Sequence, residues 1–168
     1  AAYRELFASF DPDALVLAEG VTDREGRLAD GLPYEAIAGP LGLDVQPPIA
    51  DALSKIAEEA GSEPAKTPRI VRADVDTAEF SDETLEFLRE SARTMTSPDL
   101  ATGLARAQEL GLRFDAAASE RVLHDILTLR NAHLIEELDS ALAERGRIIV
   151  PWGALHLPEI ERALVARG

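Results

Sequence analysis

The 168-residue sequence contains no cysteine, which excludes disulfides, thiolate nucleophiles and zinc sites built on cysteine. It also lacks an apolar run near the roughly 18 residues that a membrane-spanning helix needs, and its longest such run is only 14–18. No direct membrane insertion is therefore expected. Residues 1–10 carry neither the basic nor the apolar region of a signal peptide. Because a leader can be removed, the compartment stays open, including export or anchoring through segments outside this sequence.

Positive charge is scarce, since 17 basic residues oppose 31 acidic ones and the net charge is −14. Such a surface repels the phosphates of nucleic acid and of anionic lipid, so nucleic acid is not expected as a partner. The acidic excess is compatible with a metal or a cationic substrate. It also serves solubility alone, which is the commoner role of such charge.

Several familiar catalytic signatures are absent from the sequence. It has no Gly-rich phosphate loop, no Gly-x-Ser-x-Gly nucleophile elbow and no His-Glu-x-x-His zinc motif. His124 and His133 fall on one predicted helix without i, i+4 spacing, and we interpret both as surface or edge residues. Candidate functional residues must therefore be found among polar side chains that interrupt the hydrophobic pattern.

The length predicts one domain over residues 1–168 with a single core. Strands are predicted at 14–18 and 147–152, and residues 69–75 alternate as a strand does. The predicted helices lie at 3–10, 34–38, 49–60, 81–95, 97–111, 116–145 and from 157 onward. This order predicts an α/β fold, with a mixed or mostly parallel sheet flanked by helices. Residues 81–111 are predicted to form a helical lid or subdomain.

Three helix starts are predicted from capping residues. Ser81 is the expected N-cap of the helix that reaches Met95. Ser97 is expected to cap the next helix, with Pro98 at its first position, and that helix ends near residue 111. Asp115 is expected to cap the longest helix, which glycine closes at residue 146.

Leucines on the longest helix share one face at helical spacing, so that face is predicted to be buried. Arg130 and Asn131 fall on or beside the same stripe. A buried arginine needs a carboxylate or several acceptors, whereas an arginine at the edge of the stripe buries its stem and leaves its head in water. Both interpretations stay open at this stage. The leucines are Leu123, Leu127, Leu134, Leu138 and Leu142.

Glu19 and His156 stand in equivalent places, each shortly after a predicted strand. Open α/β sheets bind ligands beyond the carboxyl ends of their strands, where Glu19 could ligate a metal, act as a general base or pair with an arginine. His156 precedes a helix, whose dipole lowers the pKa of an imidazole and favours the neutral ring. The alternatives are a solvent-exposed strand end for Glu19 and a helix cap for His156. Gly153 is expected to let the backbone turn sharply between the strand and His156.

Two further pairs of residues are weaker candidates. Asp74 and Asp76 alternate around one residue and could lie behind the site, although a pair of solvated aspartates at a strand end is the more common arrangement. Tyr34 and Trp152 could line a pocket, although lone aromatics more often belong to the core.

Three segments together resemble the TraB/PrgY/GumN group of proteins, which includes the TIKI proteins and is related to the ChaN and erythromycin-esterase-like proteins. The first runs from Tyr3-Arg4-Glu5-Leu6 to Leu15-Val16-Leu17-Ala18-Glu19-Gly20. The second is Leu129-Arg130-Asn131. The third and most specific is the run 148–158 (IIVPWGALHLP), which is similar to the second Gly-x-x-His motif of that group.

The resemblance implies a hydrolase-like pocket that uses Glu19, Arg130, Asn131 and His156. TIKI proteins are metal-dependent proteases with two Gly-x-x-His motifs and a Glu, so the resemblance implies Glu19 and His156 as metal ligands. Erythromycin-esterase-like relatives use His and Glu without a required metal, and ChaN-like relatives bind haem. The first Gly-x-x-His motif is missing from this sequence, and we expect the chain to lack one strand of the family's domain at each end.

These observations predict a metal-assisted hydrolase, of peptides, that holds a divalent ion such as Mn²⁺, Co²⁺ or Zn²⁺. The partner of such a site is a small-molecule or peptide substrate. Three alternatives stay open: a metal-independent esterase-like hydrolase, a non-catalytic binding module for haem or a peptide, and an interaction protein that presents its long helix. The sequence fixes neither the substrate nor the oligomeric state.

Overall fold

The structure is a computed structural model that describes residues 10–11, 13–28, 68–144 and 146–167. The helices predicted at 3–10, 34–38 and 49–60, and Tyr34, lie outside the described residues. The chain divides into two compact units. The first contains a parallel sheet and the last two helices, and the second contains residues 21–28 and the chain from 76 to 129.

The sheet of the first unit has three parallel strands, which confirms the α/β class and the parallel sheet flanked by helices. They are β1 (Leu15–Ala18), β2 (Arg69–Arg72) and β3 (Ile148–Ile149), in the order β2-β1-β3. The central strand β1 is buried along its whole length, which explains why its sequence is a continuous apolar run. Because all three strands run in the same direction, their carboxyl ends lie at one edge of the sheet.

The helices are numbered in chain order through both units, and the first unit contains the last two. They are α4 (Arg130–Leu142) and α5 (Leu157–Arg167). Alternate residues of a strand point to the same face. One face of β1, with Leu15 and Leu17, packs in a core cluster with α4 and α5 residues. The opposite face, with Val16 and Ala18, packs against other apolar side chains. The helical side of the core consists of Leu134, Leu138, Ala141 and Ile160, joined by Ala73 and Trp152.

The second unit is mainly helical. It contains a short 3-10 turn (Thr77–Glu79), then α1 (Asp82–Met95), α2 (Leu100–Arg113), α3 (Ala116–Leu123) and a π-helical segment (His124–Leu129). Buried Asp125 on the π-helical segment accepts hydrogen bonds from the backbone N–H and hydroxyl of Ser81 and from the hydroxyl of Thr84. Burial alone would raise the pKa of Asp125, but these hydrogen bonds outweigh burial and lower it.

Two of the three predicted helix caps are confirmed. The Ser81 side chain accepts from the backbone of Thr84 at the start of α1, and Asp115 accepts from the backbone of Ala118 at the start of α3. The prediction of Ser97 as a cap is wrong, because Asp99 caps α2 by accepting from Thr102. Carboxylate and hydroxyl caps compete at this turn, and the Ser97 hydroxyl instead donates to the carbonyl of Arg93.

The prediction of one continuous leucine face along residues 116–145 is wrong at both of its ends. Leu123 is exposed because the π-helical segment at 124–129 changes the number of residues per turn, so α-helical spacing does not carry across it. An α-helix makes almost two full turns in seven residues, so Ala141 points to the same side as Leu134 and is buried. Leu142 lies one residue further around the helix and is exposed. Between them Leu134 and Leu138 are buried as predicted.

Among the helices that the structure describes, none is both long and apolar enough to cross a membrane. The prediction of a single domain with a lid at 81–111, and that of strands missing at the two ends, stay predictions.

Candidate functional site

Glu19 is the first residue after β1, and the alternation of the strand sets its direction. It has the same parity as Leu15 and Leu17, so it lies on the side of the sheet that α4 and α5 cover. Gly20 follows with φ of +150°, a region that residues with a Cβ rarely adopt. Its backbone N–H donates to Asp74 at 2.8 Å. The chain therefore leaves the carboxyl end of β1 in a conformation that suits glycine.

Arg130, the first residue of α4, makes a two-point ion pair with Asp74. Its Nε donates to Asp74 Oδ1 at 2.9 Å and its Nη2 to Asp74 Oδ2 at 2.7 Å. The Asp74 side chain is 0% exposed and that of Arg130 is 11% exposed. Asp74 also accepts from the backbone N–H groups of Gly20 and Val75. These contacts satisfy a buried carboxylate whose charge would otherwise be very unfavourable.

The same guanidinium also reaches the two residues that follow the strands. Its Nη2 donates to Glu19 Oε1 at 2.9 Å, and its Nη1 lies 3.3 Å from His156 Nε2. Its central carbon lies 5.4 Å from the ring centre of Trp152, which is close enough for a cation–π contact. Glu19 is 28% exposed at its side chain and accepts a further hydrogen bond from the backbone of Gly153 at 2.7 Å.

His156 lies between β3 and α5, and its ring is buried. Its Nδ1 is 2.7 Å from Asn131 Oδ1 and its Nε2 is 3.7 Å from Glu19 Oε1. The ring meets the Trp152 ring edge to face at 5.1 Å. On the far side, Asn131 Nδ2 donates to Glu159 Oε2 at 2.6 Å, so hydrogen bonds continue into the first turn of α5.

Burial and the neighbouring guanidinium decide the charge state of His156. Burial is the largest cause that lowers the pKa of His156, followed by the positive charge of Arg130, and together they outweigh the nearby carboxylates. Sequence reasoning predicted this direction from the dipole of α5 instead. For Arg130, burial opposes the charged form, but the hydrogen bonds and charges of Asp74 and Glu19 outweigh it and raise the pKa. The ring is therefore neutral near pH 7 beside a permanent cation.

The four residues predicted for the site, Glu19, Arg130, Asn131 and His156, are brought together at the carboxyl edge of the sheet. The ion pair of Arg130 excludes the alternative in which its head lies in water. Their catalytic and metal-binding roles stay predictions.

Three details of the sequence interpretation are wrong. Asp74 is not a solvated aspartate, because Arg130 and two backbone donors hold it in the interior. Asp76 belongs to the second unit, where it caps the 3-10 turn in a capping box with Glu79. Gly153 is not among the glycines with positive φ in the described residues, so the turn before His156 does not require its freedom.

The predicted metal ligands do not fit a metal as they stand. Both ring nitrogens of His156 face other side chains, Nε2 an N–H group of Arg130 and Nδ1 the oxygen of Asn131. The positive guanidinium also contacts both Nε2 and Glu19 Oε1, so it would repel a cation placed between them. No cluster of three or more His, Asp or Glu side chains able to hold a metal occurs within the described ranges. Axial ligation of haem by Nε2 would meet the same guanidinium. The predictions of a divalent metal and of haem therefore gain no support from this geometry.

Sequence reasoning missed Asp74 as the main partner of Arg130, and it missed Glu159 altogether. Asp74 follows strand β2. Only the need of Arg130, the cation on the leucine stripe, for a buried carboxylate could have identified Asp74 as its partner. Glu159 is an acidic residue in the first turn of a helix, a place where acidic residues are favoured by the helix dipole alone. Its contact with Asn131 depends on how α5 packs on α4.

Comparisons with models of protein families, with curated proteins and with solved structures find no match to this chain.

Proposed function

We propose that the first unit is a hydrolase that cleaves ester bonds by acid–base catalysis without a metal, with Glu19 as the general base. The observation that supports this most is the position of the Arg130 head between Glu19 and His156. It occupies the place that a shared metal ion would need, and it leaves one partly exposed carboxylate at the edge of the sheet. The TraB/PrgY/GumN group, which the sequence resembles, is related to the erythromycin-esterase-like proteins, in which His and Glu act without a required metal, and this points the same way.

The charges of the cluster favour a base at this position. Arg130 contributes one positive charge to two carboxylates, Asp74 and Glu19, and the neutral ring of His156 adds none. One negative charge is therefore left over, and Glu19 is the more exposed of the two carboxylates, at 28% against 0%. A substrate that reaches this edge meets Glu19 first.

The proposed reaction is hydrolysis of an ester by water. Glu19 accepts a proton from the water molecule while the oxygen of the water forms a bond to the acyl carbon. The carbonyl oxygen of the ester takes the negative charge. The carbon–oxygen bond to the leaving group then breaks, and the proton passes from Glu19 to the leaving alkoxide. The backbone N–H of Gly153 and the guanidinium of Arg130 hold the Glu19 carboxylate in one orientation, which is what general-base catalysis requires.

The test uses p-nitrophenyl esters of acyl chains of increasing length and a set of fluorogenic peptides. Each is assayed in EDTA and in added Mn²⁺, Co²⁺ or Zn²⁺. We expect ester hydrolysis that survives EDTA and a Glu19→Gln variant at least about 100-fold slower, because general-base catalysis contributes about that much or more. Glu136→Gln removes an exposed carboxylate from α4 and is the matched control, expected to behave as wild type.

Two outcomes would contradict the proposal. Hydrolysis of peptides that EDTA abolishes would favour the metal-assisted peptidase. Equal rates in wild type and Glu19→Gln would remove Glu19 as the base.

The second candidate is a non-catalytic binding module for a peptide. Leu155, between Gly153 and His156, is 81% exposed and offers apolar surface beside the cluster. Within the described residues, every buried side-chain nitrogen and oxygen also has a hydrogen-bond partner, as in networks that serve structure. Saturable binding of peptides without turnover, weakened by Leu155→Ser, would support this candidate.

A further inference from the structure

The hydrogen bonds around His156 specify which ring nitrogen carries the proton. Glu159 is a carboxylate that only accepts hydrogen bonds when ionised, so the side chain of Asn131 must turn its NH₂ group toward it. This leaves Asn131 Oδ1 facing His156 Nδ1 at 2.7 Å. Oδ1 can only accept, so Nδ1 must carry the proton.

The other side of the ring gives the same answer independently. Arginine has no acceptor atom, so the contact of Arg130 Nη1 with His156 Nε2 at 3.3 Å is a hydrogen bond only if Nε2 offers its lone pair. The neutral ring that burial and Arg130 favour is therefore the Nδ1–H form.

The opposite tautomer, with the proton on Nε2, also has a possible acceptor nearby, so the ring could adopt either form. If Asn131 rotated its amide, its NH₂ would face Nδ1 and the ring proton would move to Nε2. An Nε2–H would then point toward Glu19 Oε1, 3.7 Å away, and a small ring movement would make it a donor to that carboxylate. In that state the imidazole would stabilise the charge of Glu19 and make it a weaker base.

We propose that Glu159 is a positioning residue that, through Asn131, holds His156 in the Nδ1–H tautomer and so prevents the ring from donating to Glu19. The three residues form the Glu159–Asn131–His156 relay. The 2.7 Å contact to Asn131 is shorter than the 3.3 Å contact to Arg130, which assigns the larger share of tautomer selection to the relay. The effect on the rate rests on the proposed function of Glu19, whereas the effect on the tautomer does not.

The experiment reads the tautomer directly. Long-range proton–nitrogen correlation spectra of ¹⁵N-labelled protein at pH 8 distinguish a nitrogen that carries a proton from one with a free lone pair, and loss of the signals in His156→Gln assigns them. Wild type is expected to show Nε2 as the nitrogen with the lone pair. Glu159→Met keeps the length of the side chain without an acceptor, and we expect its Nε2 signal to move toward the protonated position.

Two matched variants separate this role from a general effect on folding. Glu159→Gln keeps an oxygen that can accept from Asn131, and it is expected to retain the wild-type tautomer. Glu161→Met removes an exposed carboxylate from the same helix and is expected to match wild type.

The tautomer and the rate are separate readouts. If Glu19 is the base, Glu159→Met lowers kcat for the ester substrate several-fold at unchanged KM. A tautomer shift without a rate change therefore keeps the relay and contradicts the effect of the ring on Glu19, while the rate of Glu19→Gln separately decides whether Glu19 is the base. A folded Glu159→Met protein with the wild-type tautomer would overturn the relay, because Arg130 alone would then fix the ring. A wild-type ring with its proton on Nε2 would overturn the relay without any variant.

Discussion

The first unit contains two arginine–aspartate pairs with nearly the same geometry and very different surroundings. Arg130 contacts Asp74 through Nε and Nη2 at 2.9 and 2.7 Å, and Arg167 contacts Asp139 through the same two atoms at 2.8 and 2.8 Å. The first pair has side chains 11% and 0% exposed, and the second has side chains 42% and 46% exposed. Hydrogen-bond geometry alone therefore cannot tell which pair the fold depends on.

Burial makes the difference between them. When an exposed charge loses its partner, water solvates it and the free energy of unfolding changes little. A buried charge that loses its partner is not solvated, so the folded state is strongly destabilised. In the buried pair, Arg130 also contacts Glu19 and His156. The exposed pair joins the end of α5 to α4. We therefore expect the two pairs to respond very differently to the same substitution.

The largest effect is expected from removing each arginine. Arg130→Met leaves Asp74 as a buried charge with only backbone donors and should destabilise the protein by about 3–5 kcal/mol. Arg167→Met changes the same atoms at an exposed site, and its unfolding midpoint should match wild type. Urea unfolding followed by fluorescence of Trp152, the one tryptophan of the sequence, measures both. Equal midpoints for the two variants would mean that burial does not separate the pairs.

A smaller effect is expected at the glycine that donates to the buried pair. Gly20→Ala forces a Cβ into a backbone with φ of +150° and should destabilise by about 1–3 kcal/mol. Gly153→Ala is the control, because its Cβ would lie 3.5 Å from Glu19 Oε2, an ordinary contact, and its φ is not positive. Its unfolding free energy should change by less than about 1 kcal/mol. An equal loss for both alanines would contradict the backbone argument.

The smallest effect is the pH dependence that His156 contributes, because it involves a single proton. The pKa of the folded ring is lowered, by burial first and by Arg130 second. The unfolded chain therefore binds more protons than the folded one between the folded pKa and the ordinary value near 6.5. The contribution of His156 to the free energy of unfolding should be constant above about pH 6.5 and should fall as the pH drops through this window. His156→Gln should lose this part of the slope, whereas His124→Gln, an exposed histidine, should keep it.

The sequence was sufficient to place Glu19, Arg130, Asn131 and His156 in one site because each interrupts a strong local pattern. Two follow apolar strands whose carboxyl ends must meet in a parallel sheet, and the other two interrupt a leucine stripe. Asp74 and Glu159 break no such pattern. Their roles depend on which side chain faces them across β2 and α5, and tertiary packing alone decides this.

Local capping rules also had limits in the second unit. Ser81 and Asp115 were found because each directly precedes a helical pattern. The start of α2 was predicted two residues too early, because Ser97 followed by Pro98 fits a capping pattern, whereas Asp99 is the residue that caps the helix. The π-helical segment at 124–129 has no sequence signature as clear as a proline, so the α-helical spacing predicted across it was wrong.

The central proposal is that Arg130 and Asp74 maintain the fold while Glu19 acts as the general base. Paired measurements of kcat/KM for ester hydrolysis and of the urea midpoint, made on wild type and Glu19→Gln, test it most directly. Glu19→Gln is expected to lose at least about 100-fold in kcat/KM while its midpoint stays close to that of wild type, because the amide oxygen can still accept from Arg130. An unchanged kcat/KM, or a loss of rate that comes with a fall in midpoint as large as that of Arg130→Met, would contradict the proposal.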